Sequence, residues 1–161
     1  AMGRPYTVRE YAATVEAAAA ALPDGCLGAD VMVGLPGETE ADFAATEALI
    51  AELPLSYLHV FPYSPRPGTP AASFPNRVPG PLAKARAARL RRLGEAKRRA
   101  WLTGLVGRTL EVIAEADGLG RATNYAPVLL PRPAPPGACL TVVARELVTL
   151  PVGLALRGDP A

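Results

Sequence analysis

The stretch that decides the fold is CLGADVMVGLPGETEADF, Cys26 to Phe43. Leu27 to Val33 is a short apolar run of strand length that stops at Gly34. A continuous run, rather than an alternating one, suits a parallel strand covered on both faces. Thr39 followed by Asp42 is a capping-box pattern, in which hydroxyl and carboxylate each satisfy an orphan amide of a helix's first turn. The residues behind it, ADFAATEALIAEL, continue as an amphipathic helix through Phe43, Ala48 and Leu49 or Ile50. One strand, one tight turn and one helix make a βα unit.

The pattern continues on both sides. Upstream, Thr7 and Glu10 form another capping box, and Tyr11, Val15, Ala18 and Leu22 share one face of a helix over 7–22 before Pro23, Asp24 and Gly25 stop it. Downstream, Leu55 to Phe61 is a second apolar run. Helix, strand, helix, strand at this spacing predicts a parallel sheet. The segment 62–81 is too rich in proline to pair as a central strand. A long helix is expected over 82–102, with Ala83, Ala87, Leu90 and Leu93 on one side and arginines around the rest.

Beyond Gly107 the texture changes. RTLEVIAE, APVLLP, ACLTVVAREL and VGLALRG are short β-prone runs separated by Gly, Pro and Asp, the mark of a small antiparallel barrel. The expected division is therefore 1–103, an α/β part with a basic connecting helix, and 104–161, a β-barrel.

The composition is that of a packed protein, half apolar and one-fifth charged. No apolar run reaches membrane-spanning length and no signal peptide is seen, so a cytoplasmic protein without membrane attachment is expected. Cys26 and Cys139 are read as buried free thiols behaving as small hydrophobes. The net charge of +2 hides an asymmetry: Lys84 to Arg99 holds eight basic residues and one acid, Glu95. That band is suited to phosphate contacts, or is a solvated helix face.

In a parallel α/β sheet the ligand site lies at the carboxyl ends of the strands. GLPGET and PYSPRPGT both sit at such ends. Gly34 and Gly37 permit close backbone approach, Pro36 fixes the turn between them, and Glu38 can accept hydrogen bonds from a ligand or from loop amides. From the pattern alone, 34–39 is equally a tight turn ahead of a capped helix. The histidine of LHVFPYSPRPGTPAA, His59, is expected to be satisfied within the core.

ADVMVGLPGETEADF (29–43) with LHVFPYSPRPGTPAA (58–72) resembles the radical-SAM methylthiotransferases that modify tRNA, and MGRPYTVREY (2–11) is similar to the segment preceding those motifs. The wording at 59–64 fits best the subgroup acting on threonylcarbamoyladenosine next to the anticodon. The resemblance implies the C-terminal part of a radical-SAM open α/β barrel followed by a TRAM-type RNA-binding barrel. It implies S-adenosylmethionine and a 4Fe–4S cluster in the full-length parent. Met32, Gly34, Pro36 and Glu38, with the main chain of Val60, Phe61 and Pro62, would flank the adenosine of S-adenosylmethionine. Tyr63, Ser64 and Arg66 would meet substrate nucleotide or phosphate, joined by Arg91, Arg92, Arg98 and Arg99 of the basic helix. In the barrel GRATNYAPV (120–128) matches the family pattern, so that Tyr125 would stack on a base while Asn124 and Arg121 contact base or phosphate.

One departure weighs against activity in this chain alone. Such a cluster is held by cysteine thiolates in a Cys-x3-Cys-x2-Cys run, and these two cysteines cannot form one, so no residue here is assigned a catalytic or metal-binding role. The expected partners are tRNA and the missing N-terminal part of the same polypeptide. Unpaired sheet edges predict an edge-to-edge dimer or poor solubility. The rival reading is a noncatalytic RNA-binding module with a structural half-barrel.

Overall fold

The computed structural model describes residues 4–161. Met2 and Gly3 of the MGRPYTVREY motif lie outside the described residues. The chain divides into two compact units. One comprises the described residues up to Ala21 with Leu27–Lys97, and the other comprises Leu22–Cys26 with Arg98–Ala161.

The first unit contains α1 (Val8–Ala21), β1 (Gly28–Val33), α2 (Glu40–Glu52), β2 (Tyr57–Pro62), a single 3-10 turn (Pro70–Ser73) and α3, which runs Gly80–Gly104 and crosses into the second unit at Arg98. Both capping boxes form. The Glu10 carboxylate accepts from the amide of Thr7 at 2.7 Å while the Thr7 hydroxyl accepts from the amide of Glu10 at 3.2 Å. Thr39 and Asp42 do the same at 2.9 and 3.1 Å. These reciprocal bonds fix where each helix begins. At the other end of α2 the Lys97 ammonium donates to the carbonyls of Ala51 and Leu53 at 3.0 and 2.7 Å. A cation at a helix C-terminus also meets the negative end of the helix dipole.

Strands β1 and β2 pair in parallel with Gly28 opposite Tyr57, Asp30 opposite His59 and Met32 opposite Phe61. Side chains alternate between the faces of a strand. Val33 and Val60 therefore fall on the face that packs into a core with Phe43, Ile50, Leu53, Leu55, Ala87 and Leu90, against which Tyr11 and Val15 of α1 also lie. The opposite face is not covered by the unit: Asp30 and His59 are 76% and 64% exposed, and their side chains meet at 3.3 Å. His59 is thus no core residue, and β1 is buried on one face rather than two. The sheet has two parallel strands, and the described residues form no complete α/β barrel of which these would be the last part.

The second unit is a closed barrel in the order β3, β4, β5, β7, β6. Its strands are β3 (Thr109–Ala114), β4 (Leu119–Ala122), β5 (Pro127–Leu129), β6 (Cys139–Leu150) and β7 (Gly153–Pro160). Strict alternation along β3 sends Leu110, Val112 and Ala114 inward, where they meet Val128, Val142, Ala144 and Leu156 with Leu102 and Leu105 from the end of α3. The barrel is not wholly antiparallel, because β5 pairs in parallel with β7. A bulge between Ala144 and Glu146 shifts the register of the long β6–β7 pair, and such bulges bend a strand as closure requires. Gly120 admits no side chain, since a Cβ there would lie 2.5 Å from Cγ1 of Val112.

The segment Leu22–Cys26 belongs to the barrel unit, held by its Asp24 carbonyl. That oxygen accepts from the indole of Trp101 at 3.4 Å and the side-chain amide of Asn124 at 3.0 Å. Leu22, expected on the buried face of the first helix, is exposed. Of the two thiols, Cys139 is exposed at the start of β6 rather than buried, and Cys26 is half-buried, which pushes its pKa up.

Candidate functional site

The carboxyl ends of β1 and β2 carry the loops expected to bind. Gly34 and Gly37 both have positive φ, 78° and 85°, as the turn demands. Their open space differs. A Cβ at Gly34 would stand 2.6 Å from that of Ala83, whereas nothing lies within 4 Å of one at Gly37. The missing side chain at Gly34 thus lets α3 approach the loop, whereas Gly37 faces open space.

Glu38 braces this loop. Its carboxylate accepts from the amides of Gly34 and Leu35. Behind it stands Arg86, a residue the sequence reading passed over as one charge in a basic band. Its side chain is 3% exposed. One nitrogen lies 3.4 Å from Oε1 of Glu38 and donates to the Glu38 carbonyl at 3.2 Å, and the other donates to Glu40 at 3.0 Å. Arg89 extends the network to Glu40 and Glu47, and both guanidinium groups lie over the ring of Phe43. The hydrogen bond from Arg86, against an opposing desolvation and aided by Arg89, holds the Glu40 carboxyl below its usual range. The hydrogen bonds that Arg89 donates to Glu47 raise its own pKa.

The basic band therefore has two populations. Arg86, Arg89 and Lys97 are consumed by packing and capping, and burial lowers the pKa of Lys97. Arg91 donates to the carbonyl of Val60 at 3.1 Å, which occupies one of that oxygen's two lone pairs. The side chains of Lys84, Arg92, Arg98 and Arg99 make no ion pair or hydrogen bond among the described residues, and Arg92 and Arg99 are exposed.

Beside these strand ends lies a cavity of about 490 Å³ whose lining includes Gly34, Pro36, Pro62, Tyr63 and Arg91. The resemblance assigned Gly34, Pro36 and Pro62 to the cofactor and Tyr63 and Arg91 to RNA, and all five line this one cavity. The cavity does not take in Ser64 and Arg66, which are exposed on the loop beyond. The turn there is held by the Thr69 amide and hydroxyl donating to the Arg66 carbonyl at 3.2 and 2.8 Å. Met32 and Phe61, neighbours in register, are half-buried on the open face of the sheet. Phe61 lies 5.6 Å from the His59 ring.

In the barrel, only one of the three expected contacts is displayed. Tyr125 is 71% exposed and held at φ 68°. Asn124 is spent on structure, its amide donating to Asp24 and its oxygen accepting from the Ala126 amide at 3.2 Å. Arg121 forms a two-point pair with Glu115 at 2.9 and 3.2 Å. Its charge is thereby balanced on the barrel surface.

Among the described residues no group of three His, Cys, Asp or Glu side chains is placed to hold a metal ion. No described helix is long and apolar enough to cross a membrane.

No protein-family model matches the chain. It is similar to curated proteins, each named tRNA-2-methylthio-N(6)-dimethylallyladenosine synthase. The Methylobacillus flagellatus protein is 39% identical over 125 residues, 78% of this chain and 28% of the relative. That of Thermobifida fusca is 43% identical over 121 residues, covering 75% and 24%, and that of Sorangium cellulosum 46% over 114 residues, covering 71% and 23%. The chain spans about a quarter of the length of the relatives it matches. These names favour the methylthiotransferases but not the threonylcarbamoyladenosine subgroup expected from the histidine wording at 59–64.

Proposed function

We propose that this chain is part of a tRNA methylthiotransferase whose substrate nucleoside is N6-dimethylallyladenosine. What carries the reading is identity near 40% across about three-quarters of the chain to proteins of that name. The two motifs that carry the resemblance form consecutive parallel strands with their loops at one end, where an α/β sheet takes its ligand.

The chain's own residues divide the work. Met32 and Phe61 offer a thioether and an aromatic ring to an adenine on the open face of the sheet. S-adenosylmethionine, when bound, supplies the radical and the methyl group. Glu38 and Arg86 hold the Gly34–Glu38 loop in one geometry, so they position rather than react. The 4Fe–4S cluster finds no fit here, since its thiolate ligands are not in this chain, and no step of the chemistry is assigned to it. The exposed ring of Tyr125 stacks on a base of the RNA in a TRAM-type barrel. Arg92, Arg98 and Arg99 are free to meet phosphates, each contact adding to a salt-dependent affinity.

The decisive test is a titration of the chain with anticodon stem-loops carrying dimethylallyladenosine, threonylcarbamoyladenosine or unmodified adenosine. Tighter binding of the dimethylallyl loop is expected. Preference for the threonylcarbamoyl loop would restore the other subgroup. Binding without salt dependence, or unchanged when Arg92, Arg98 and Arg99 are neutralised, would remove the basic helix from the interface.

A further inference from the structure

The linker Leu22–Cys26 lies in no helix or strand, belongs to the barrel unit and leads into β1 at Gly28. Groups expected at the RNA gather around it. The Asn124 amide donates to its Asp24 carbonyl at 3.0 Å, and Tyr125 follows Asn124 in the chain. The Arg98 charge acts on its Cys26 thiol, opposing the upward push of burial. Trp101 and Arg108 add to the hold: the indole reaches the same carbonyl at 3.4 Å, and the guanidinium lies 3.7 Å from the Asp24 carboxylate. A segment held through side chains, outside any strand ladder, opens at lower cost than the strands beside it.

Asn124 serves two elements at once. While its nitrogen holds Asp24, its oxygen accepts from the Ala126 amide at 3.2 Å. That second bond helps close the turn that displays Tyr125, whose own amide donates to the Ala122 carbonyl at 2.8 Å. The turn is strained, since Tyr125 stands at φ 68°, and such strain collects at ligand clamps and switches. A base stacked on the Tyr125 ring restrains the turn, and a restrained turn aims the Asn124 amide at Asp24. Beyond the linker there is little slack. The Leu27 carbonyl accepts from the Ser56 amide at 2.8 Å, and the Leu27 amide donates to the Ser56 hydroxyl at 3.3 Å.

We propose that Asn124 is a positioning residue, which couples capture of an RNA base at Tyr125 to closure of the linker at the head of β1. RNA seated on the barrel thereby steadies the strand that carries Met32. The proposal rests on the RNA reading above for what occupies Tyr125; the coupling rests on the two bonds of one side-chain amide.

The test measures alkylation of Cys26 by iodoacetamide in the 161-residue chain carrying Cys139→Ser, which leaves a single thiol. The reaction is run without RNA and with a saturating, unmodified anticodon stem-loop. RNA should slow it about tenfold, an ordinary strength for coupling between two sites. Asn124→Ala should react at one fast rate whether or not RNA is bound. Linkage is reciprocal, so the same variant should bind the stem-loop more weakly by that same factor. Trp101→Phe loosens the linker without touching the turn, and it should show part of both changes in step. Tyr125→Ala, saturated at higher RNA concentration, should show no slowing. Equal slowing in Asn124→Ala, as a covering strand or a phosphate on Arg98 would give, overturns the coupling. A Trp101→Phe chain that reacts faster yet binds RNA as before overturns it too. A stem-loop that never binds sinks the RNA reading and the coupling together, whereas binding without slowing sinks the coupling alone.

Discussion

The two units solve the problem of the sheet edge in opposite ways. The barrel closes on itself, and each strand finds two neighbours. The two-stranded sheet leaves one edge on each strand and one face with an exposed Asp30–His59 pair. Closure lets the barrel depend mainly on inward alternation of apolar side chains. The open sheet has an apolar core under one face only, and there α2 and α3 are also tied together by ion pairs with Arg86 at the centre. The difference teaches where each unit is fragile: the barrel in its apolar core, the sheet in a buried charge.

The largest test of that contrast is Arg86→Ala. Removing one partner of a buried ion pair costs about 3–5 kcal/mol, and Glu38 would lose its brace as well. Because Trp101 is the chain's single tryptophan and belongs to the barrel unit, its fluorescence reports the barrel alone. Denaturant unfolding of Arg86→Ala should show the helical signal lost early and the Trp101 transition unmoved. Joint movement would mean that the units unfold together, and the contrast would collapse.

Gly34→Ala comes next. The added methyl meets Ala83 at 2.6 Å on a backbone with φ 78°, and roughly 2 kcal/mol of the sheet unit's stability should go. An unchanged midpoint would show that α3 can back away from the loop.

Acid sharpens the comparison more gently. Glu40 is held low first by Arg86, and Asp42 by its hydrogen bonds with Thr39. A carboxyl whose folded pKa lies below its unfolded one contributes stability above the unfolded value, and that contribution is lost as pH falls through the folded value. The helical unit should therefore weaken progressively below about pH 4, and the double variant Glu40→Gln, Asp42→Asn should flatten that limb of the pH profile. The open edges also predict self-association of the chain, visible as a concentration-dependent elution volume. A monomer at every concentration would show the edges to be harmless. Smallest for stability is Tyr125→Ala, within about 0.5 kcal/mol, while RNA affinity should fall about tenfold if the ring stacks on a base.

What the sequence made legible was the local chemistry. Both capping boxes, both strands and the long helix can be read from short-range patterns. The strand β4 was missed because Gly120 and Arg121 carry no strand signal of their own; its position is set by Val112 packing where a side chain would be. The fate of Leu22–Cys26 was invisible because the groups that hold it, Trp101 and Asn124, lie far along the chain. His59 was misread for a related reason: periodicity tells that a strand has two faces, not whether both are covered. At the site, GLPGE announced the turn and Glu38 announced a brace. Nothing in the arginine band distinguished Arg86, turned inward, from Lys84, left unpaired, since charge alone does not state burial.

Tyr125 stands in a left-handed conformation that costs an ordinary side chain about 1 kcal/mol or more and costs glycine nothing. Evolving the barrel in the laboratory for heat resistance alone should therefore return glycine at 125, and evolving it for capture of RNA should keep the ring. The position would then act as a dial between two selections, and the residue found there would tell which one had been applied.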